Sequence, residues 1–185
     1  QGELLWAVRA GGTQDIQATS IAVDATGNVY VTGYFLGTAD FDPTGAAVNL
    51  TAVAGDVFVW KLSPAGAVVW AKRAGGSGFD SGSSLAIDSS GAVYVTGQFI
   101  GTAEFNDGGI SSTLTSEGPA ADVFVWKMTS AGVIQVIVRL GGTGTDRSGD
   151  IGLDSAGSLY VTGDFQGTAD FDPSAGTSAN LTAVG

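Results

Sequence analysis

The side chains best placed to do chemistry in this sequence are carboxylates spaced two apart in a recurring string, GTADFDP. The string runs from Gly37 to Pro43 and again from Gly167 to Pro173, and a variant, GTAEFND, runs from Gly101 to Asp107. On extended backbone, successive side chains point to opposite faces, so Asp40 and Asp42 project together while Phe41 turns away to pack. Asp170 with Asp172 repeats the pair, and Glu104 with Asn106 keeps oxygen donors at the matching positions. Paired hard oxygens on a loop suit calcium, which takes about six to eight oxygen ligands. The same residues suit another task, because a short carboxylate at a corner accepts backbone N–H groups and caps the turn. Asp40, Asp42, Glu104, Asn106, Asp170 and Asp172 are therefore the candidate metal ligands, with calcium as the ion and turn capping as the competing role.

Other chemistries find little to work with. The chain has no histidine and no cysteine, which removes the commonest general base, the thiolate nucleophile and the usual zinc ligands. A carboxylate pair can serve a glycosidase, but an acid and a base need one asymmetric constellation with separated pKa values. Here each candidate recurs in register, so the expectation is a chain without catalytic residues. Asp24, Asp88 and Asp154 each precede a short turn ending in glycine, where an Asx-type turn is expected, and Asp15, Asp80 and Asp146 are read as loop or turn residues too. Trp6, Trp60, Trp70 and Trp126 fall on strand patterns and are expected in the core rather than stacked on sugars.

Seven Lys and Arg against eighteen Asp and Glu give a net charge of −11, which would repel a phosphate backbone, so nucleic acid is not an expected partner. No apolar run is long enough for a membrane-spanning helix, and no membrane insertion is expected.

What positions the acidic strings is a repeat. VYVTG at Val29 to Gly33 returns at Val93 to Gly97 and, as LYVTG, at Leu159 to Gly163, in steps of 64 and 66 residues. Gly11-Gly12, Gly75-Gly76 and Gly141-Gly142 keep the same step, as do Phe41, Phe105 and Phe171. The longer second step is placed by comparing AVAG before Asp56 with SEGPAA before Asp122, an insertion of the kind exposed loops tolerate. The units read as the last strand of a preceding unit at 1–10, then repeats at 11–74 and 75–140 and a partial repeat at 141–185. In each, SIAVD-ATG-NVYVTGYF gives a hairpin pattern, and DVFVWKLS-PAG-AVVWAKR gives a second. An irregular connector, Leu36 to Gly55 in the first copy, is expected between the two hairpins. Phe58, Trp60 and Leu62 face one way and Val57 and Val59 the other, so the strand must be covered on both sides. Stacked sheets of a β-propeller meet that requirement better than a sandwich with one wet face.

VDATGNVYVTGYF, DFDP, DVFVWKLSPAG and WAKRAGG resemble the bacterial β-propeller repeat called SBBP, over essentially the whole chain. The resemblance implies an all-β fold of tandem four-stranded antiparallel blades, secreted or attached at the cell surface. About three blades cannot close a usual ring of roughly four to eight. The partners expected are therefore further repeats of the same chain or other copies, together with a protein or glycan ligand. The function expected is a noncatalytic extracellular scaffold. The alternatives are an accessory domain of a secreted polymer-degrading enzyme and a subunit of an extracellular filament or sheath.

Overall fold

Short strands rich in valine and aromatic residues, separated by turns ending in glycine, leave few ways to pair the backbone, and antiparallel hairpins between neighbours are the simplest. The computed structural model describes all residues except 1, 107, 108, 110, 173, 175, 176 and 185. Asp107 and Pro173, which end two of the acidic strings, lie outside the described residues. The first repeat holds β1 (Gly11–Gly12), β2 (Ile16–Val23), β3 (Val29–Asp40), β4 (Asn49–Leu62) and β5 (Val68–Gly76). The second holds β6 (Ser81–Ile87), β7 (Val93–Ile100), β8 (Thr102–Asn106), β9 (Ser111–Thr115), β10 (Ala121–Met128) and β11 (Ile134–Gly142). The third holds β12 (Arg147–Leu153), β13 (Leu159–Asp164), β14 (Thr168–Asp170) and β15 (Asn180–Thr182). The described residues form no helix, in line with the all-β reading.

The three hairpins β2–β3, β6–β7 and β12–β13 share one register, pairing Val23 with Val29, Ile87 with Val93 and Leu153 with Leu159. Each also carries a register shift in its first strand, after Ala18, Gly82 and Ser148. The turns are alike because the chain must reverse through a left-handed residue, and Gly27, Gly91 and Gly157 supply it at φ of 84°, 81° and 83°. The expected likeness of the three strand pairs is thus met. β3 then pairs with β4 and β4 with β5, and β7 pairs with β10 and β10 with β11.

Two expectations need correction. The connectors are not irregular: β3 runs on to Asp40 and returns through Asn49 of β4, while β8–β9 and β14–β15 form the equivalent arms. Threonine hydroxyls pair across every arm, Thr38 with Thr51 at 2.9 Å, Thr102 with Thr115 at 3.1 Å and Thr168 with Thr182 at 2.9 Å. The apolar and threonine content that looked like loop in isolation becomes strand because a partner is available on both sides. That second partner crosses a repeat boundary. Gly11 and Gly12 pair with Asp40 and Ala39, Gly75 and Gly76 with Glu104 and Ala103, and Gly141 and Gly142 with Asp170 and Ala169. The repeats therefore share sheets, and their boundaries at 74 and 140 are crossed by backbone pairing.

The second correction concerns Glu3 to Arg9, expected as a strand. Residues 2–10 pair with no strand, although Trp6, Val8 and Ala10 pack on the first repeat and the Trp6 indole donates to the Pro64 carbonyl at 2.9 Å. Trp70 of β5 makes the same contact one repeat later, donating to the Ser130 carbonyl at 3.2 Å. The segment thus packs as β5 does one repeat later, but without a strand beside it such as the β4 that pairs with β5.

Both faces of β4 are covered, as its pattern required. Phe58, Trp60 and Leu62 join one buried cluster with Phe35 and Phe41. Val57 and Val59 join another with Tyr30, Leu85 and Trp126, formed where the first two repeats meet. Phe41 fixes the connector arm to the sheet, its ring set edge-on or tilted against Phe35, Phe58 and Trp60 at 5.2 to 5.8 Å. Such ring pairs add about 0.5–1.5 kcal/mol each beyond the area they bury.

The second glycine of each Gly-Gly pair lets the two backbones approach, since a Cβ on Gly76 would overlap the Thr102 carbonyl oxygen. Gly76→Ala is expected to lower stability by about 1–3 kcal/mol, as forced overpacking does. Gly152→Ala, whose Cβ would meet nothing within 4 Å, should change it by less than about 0.5 kcal/mol. Urea unfolding of the two variants compares them directly.

Candidate functional site

The turn aspartates behave as their position required. Asp24 Oδ1 accepts from the amides of Thr26 and Asn28, both at 2.9 Å, and Oδ2 accepts from the Tyr30 hydroxyl at 3.2 Å. Asp88 does the same with Ser90, Ala92 and Tyr94, and Asp154 with Ala156, Ser158 and Tyr160. Burial pushes the Asp24 carboxyl up, but the donors from Asn28 and Thr26 outweigh it and hold the group well below the usual range. Donors act likewise at Asp88 and Asp154. Each tyrosine thereby links the turn to the strand that follows it.

The six candidate ligands lie at three equivalent corners where the connector arms reverse or end. Asp40 Oδ1 accepts from the amides of Asp42 and Val48, both at 2.9 Å. Asp170 Oδ1 accepts from Asp172 at 2.9 Å and Ala179 at 2.8 Å. Asp42 takes the Thr44 hydroxyl at 3.1 Å, Asp172 takes the Ser174 amide at 2.9 Å, and Glu104 takes the Ser111 hydroxyl at 2.5 Å. Asn106 stands opposite Arg73 and Ser111 in the sheet. Phe41, between Asp40 and Asp42, turns into the core, while the strand ends at Asp40 and the Asp42 amide bends back to its carboxylate. Among the described residues no three acidic side chains converge. Calcium at a corner would draw on the Asp42 or Asp172 carboxylate and on arm carbonyls, while Asp40 Oδ1 and Asp170 Oδ1 already serve two amides each.

A second acidic site, read from the sequence only as turns and strand ends, lies where consecutive repeats meet. Asp80 is fully buried. Its amide donates to the Gly55 carbonyl at 2.6 Å, Oδ2 accepts from the Gly76 amide at 2.8 Å, and Oδ1 accepts from the Ile100 amide at 3.0 Å. One side chain thus ties β5 and the end of β7, while its backbone ties back to the preceding connector. Asp146 repeats the set with Ala121 at 2.8 Å, Gly142 at 2.7 Å and Gln166 at 3.3 Å. Beside each stands another buried carboxylate with an arginine: Asp56 is paired with Arg73, and Asp122 with Arg139 at 2.6 Å. Asp56 Oδ1 and Asp122 Oδ1 are buried with no partner in the described structure. The two carboxylates converge over a glycine, because a Cβ on Gly141 would lie 2.6 Å from Asp146 Oδ2 and 3.1 Å from Asp122 Oδ1. The sequence signal was the recurrence of Asp-Val-Phe-Val-Trp-Lys, Arg-x-Gly-Gly and the following aspartate at one step, and only the fold brings the three together.

Burial, more than charge, sets the acid–base character of this cluster. Burial raises the Asp80 carboxyl to about 6, with the nearby Asp56 charge adding to the shift and the amides of Ile100 and Gly76 opposing it. Burial likewise raises Asp56 and Asp122 despite the arginines beside them.

Comparison with known proteins agrees with the repeat. The model of the SBBP beta-propeller repeat family matches the chain twice, at residues 5–34 and 69–98. Each match begins near a tryptophan, Trp6 or Trp70, and runs through the Gly-Gly pair into the next hairpin, so the matched unit spans the junction between repeats. The chain matches none of the curated proteins compared with it.

Two outcomes follow from the carboxylates. Between the ordinary value of 3.8 and about 6, folded Asp80 binds more proton than the unfolded chain, so its effect on stability weakens the fold as pH rises through that window. Groups held low, such as Asp24 and Asp88, act in the opposite sense and withdraw stability as pH falls below their ordinary value. The melting temperature should therefore be higher at about pH 5 than at about pH 7.5 and fall again in stronger acid. Asp80→Asn should flatten the upper slope and cost about 1–3 kcal/mol, since one amide loses its acceptor. At the corners, Oδ1 of Asp40 and of Asp170 already accepts two amides, so adding a chelator should leave the melting temperature within about 1 °C. A larger drop, reversed by calcium and abolished in Asp42→Asn, would identify a calcium site there.

Proposed function

We propose that this chain is a noncatalytic scaffold segment of a larger secreted or surface-exposed protein, its repeats acting as consecutive four-stranded blades of a β-propeller. The observation that carries this reading is the repetition of the polar groups that hold the backbone. Asp80 and Asp146 satisfy the same backbone amides, Asp56 and Asp122 pair with equivalent arginines, and the turn aspartates recur three times. A reaction centre needs groups set apart from one another by environment. Here environment makes them alike, and each holds backbone, the aspartates at 80 and 146 between repeats and the turn aspartates within a hairpin.

The antiparallel runs β2–β3–β4–β5 and β6–β7–β10–β11 support a blade of four strands, joined to the next by the connector arm. The outward carboxylates and the net charge of −11 suit a soluble surface that presents arms and turns to a protein or glycan ligand. Extracellular placement rests on the repeat family and the acidic surface.

Antibody raised against the chain should label intact cells of the source organism before permeabilisation. Labelling seen only after permeabilisation would overturn the extracellular reading. Purified chain incubated with soluble polysaccharides should release no new reducing ends, and release abolished by Asp80→Asn would overturn the noncatalytic one.

A further inference from the structure

Consecutive repeats meet at two corners built alike, and at each the same atom is left over. Asp56 and Asp122 are fully buried. In each, Oδ2 is well served. Asp56 Oδ2 takes the Val53 amide at 3.3 Å and the Arg73 guanidinium, and Asp122 Oδ2 takes the Glu117 amide at 2.9 Å and Arg139 at 2.6 Å. Oδ1 of both accepts no hydrogen bond among the described residues. A buried carboxylate oxygen without a donor is costly, and its recurrence in register makes it a property of the junction.

The second buried acid of each corner stands beside that oxygen. Asp146 Oδ2 and Asp122 Oδ1 lie 2.6 and 3.1 Å from the point that a Cβ on Gly141 would occupy, so the two oxygens crowd one small space. At the first corner Asp56 Oδ1 lies 2.6 Å from the same point on Gly75, and Asp80 Oδ2 takes the next amide, that of Gly76, at 2.8 Å. The donors to Asp80 and Asp146 are backbone amides alone. With every acid ionised, two buried carboxylates therefore share one guanidinium, and each cluster holds one negative charge in excess. The charged groups around it do not cancel that excess. Glu104 and Asp170, opposite Gly75 and Gly141 in the sheet, are acidic, and Glu117 brings a further carboxylate to Arg139. Arg147, next to Asp146, is half exposed and pairs with Asp164 at 3.5 Å. One proton per corner removes the excess and gives the orphan oxygen a partner.

We infer that each junction is a proton-binding site, in which Asp56 with Asp80, and likewise Asp122 with Asp146, holds one proton between two carboxyl groups. The hydrogen bond ends on Oδ1 of Asp56 or Asp122, and acid thereby closes one repeat on the next. The proton comes from solvent and returns to it, and no other group changes. With an arginine on the far oxygen, the accepting carboxylate stays charged, which gives the bond the strength of a charge-assisted one. Once the proton leaves, two like charges face each other away from water. The contacts they strain are those that cross the junction, the Asp80 amide on the Gly55 carbonyl at 2.6 Å and the Asp146 amide on the Ala121 carbonyl at 2.8 Å. Burial raises Asp80 to about 6 and moves Asp56 and Asp122 in the same direction, so the change falls near neutrality, and each pair titrates as a unit.

Carbon-13 NMR of the side-chain carboxyls in the intact chain, combined with amide hydrogen exchange, tests this. Between about pH 5 and about pH 7.5 the Asp56–Asp80 pair should release one proton. After correction for the intrinsic pH dependence of exchange, the Asp80 amide should be about tenfold better protected at the lower pH. The Thr26 and Ser90 amides, held by turn aspartates within a hairpin, should show no such difference. In Asp80→Asn the carboxamide donates to Asp56 Oδ1 as the proton did, so protection at residue 80 should be equal at both pH values, while Asp146, at the untouched junction, keeps its difference. The carboxyl titration needs no variant, so the test stands even if Asp80→Asn does not fold. Two ionised acids in the pair at about pH 5, protection that ignores pH, or a pH dependence at residue 80 that survives Asp80→Asn would overturn the proposal. So would protection restored at about pH 7.5 by calcium or sodium, since a metal cation would then be the occupant.

Discussion

A strand that leaves one sheet to pair with the next repeat must bring its backbone against another backbone at a buried corner, and every amide there has to find an acceptor. Two consecutive glycines and one aspartate meet that demand. The first glycine takes φ of 154° at Gly75 and 147° at Gly141, where a side chain would run into the Asp56 or Asp146 carboxylate. The second allows the close approach to the connector arm. The aspartate then gathers the amides of Gly76 and Ile100, or of Gly142 and Gln166. Burying a carboxylate is costly unless it is hydrogen-bonded, so the corner works only when both neighbouring repeats are in place. The polar junction and the apolar contact between Val57, Val59 and Leu85 consequently depend on one another.

The same junction explains why the first repeat differs. At Asp15 the Leu36 amide is met by the backbone carbonyl, at 2.9 Å, and not by the side chain as at Asp80. Asp80 is enclosed beside the Asp56 strand end and Arg73, whose carboxylate and guanidinium are paired there. Hydrogen bonds between hairpins reinforce each contact between repeats, with Thr19 donating to the Gly82 carbonyl at 2.7 Å and Ser84 to Asp150 at 2.6 Å. Stability in such an array is set by neighbours more than by any single repeat.

Much of this was legible in the sequence because it is local. Alternation placed Phe58, Trp60 and Leu62 on one face and Val57 and Val59 on the other, and the turn at Asp24 followed from an aspartate three residues before a glycine. The connectors were misread because a strand is defined by its neighbour. Thr38, Ala39 and Asp40 are ordinary loop residues until Gly11 and Gly12 arrive from one side and Asn49 to Thr51 from the other. The Asp56, Arg73 and Asp80 cluster was hidden for a related reason. Its members are spread along the chain and each has a bland local explanation, so only the sheet reveals that they meet. The acidic string was the more conspicuous motif, and its aspartates Asp40 and Asp170 serve backbone amides.

The pairing of Gly76 with Ala103 joins residues 27 positions apart, with the next hairpin lying between them. A chain made from its N-terminus exposes β5 complete before the arm that pairs with its last residues, Arg73 to Gly76, has been synthesised. At about 5–20 residues per second, that interval is roughly 1 to 5 s. During it the Asp80 carboxylate can reach Gly76 but not the Ile100 amide, so the corner stays wet and Asp80 keeps the proton affinity of an ordinary surface acid. Each repeat thus emerges from the ribosome with its trailing end unfinished, and synthesis of the following repeat is the step that seals it.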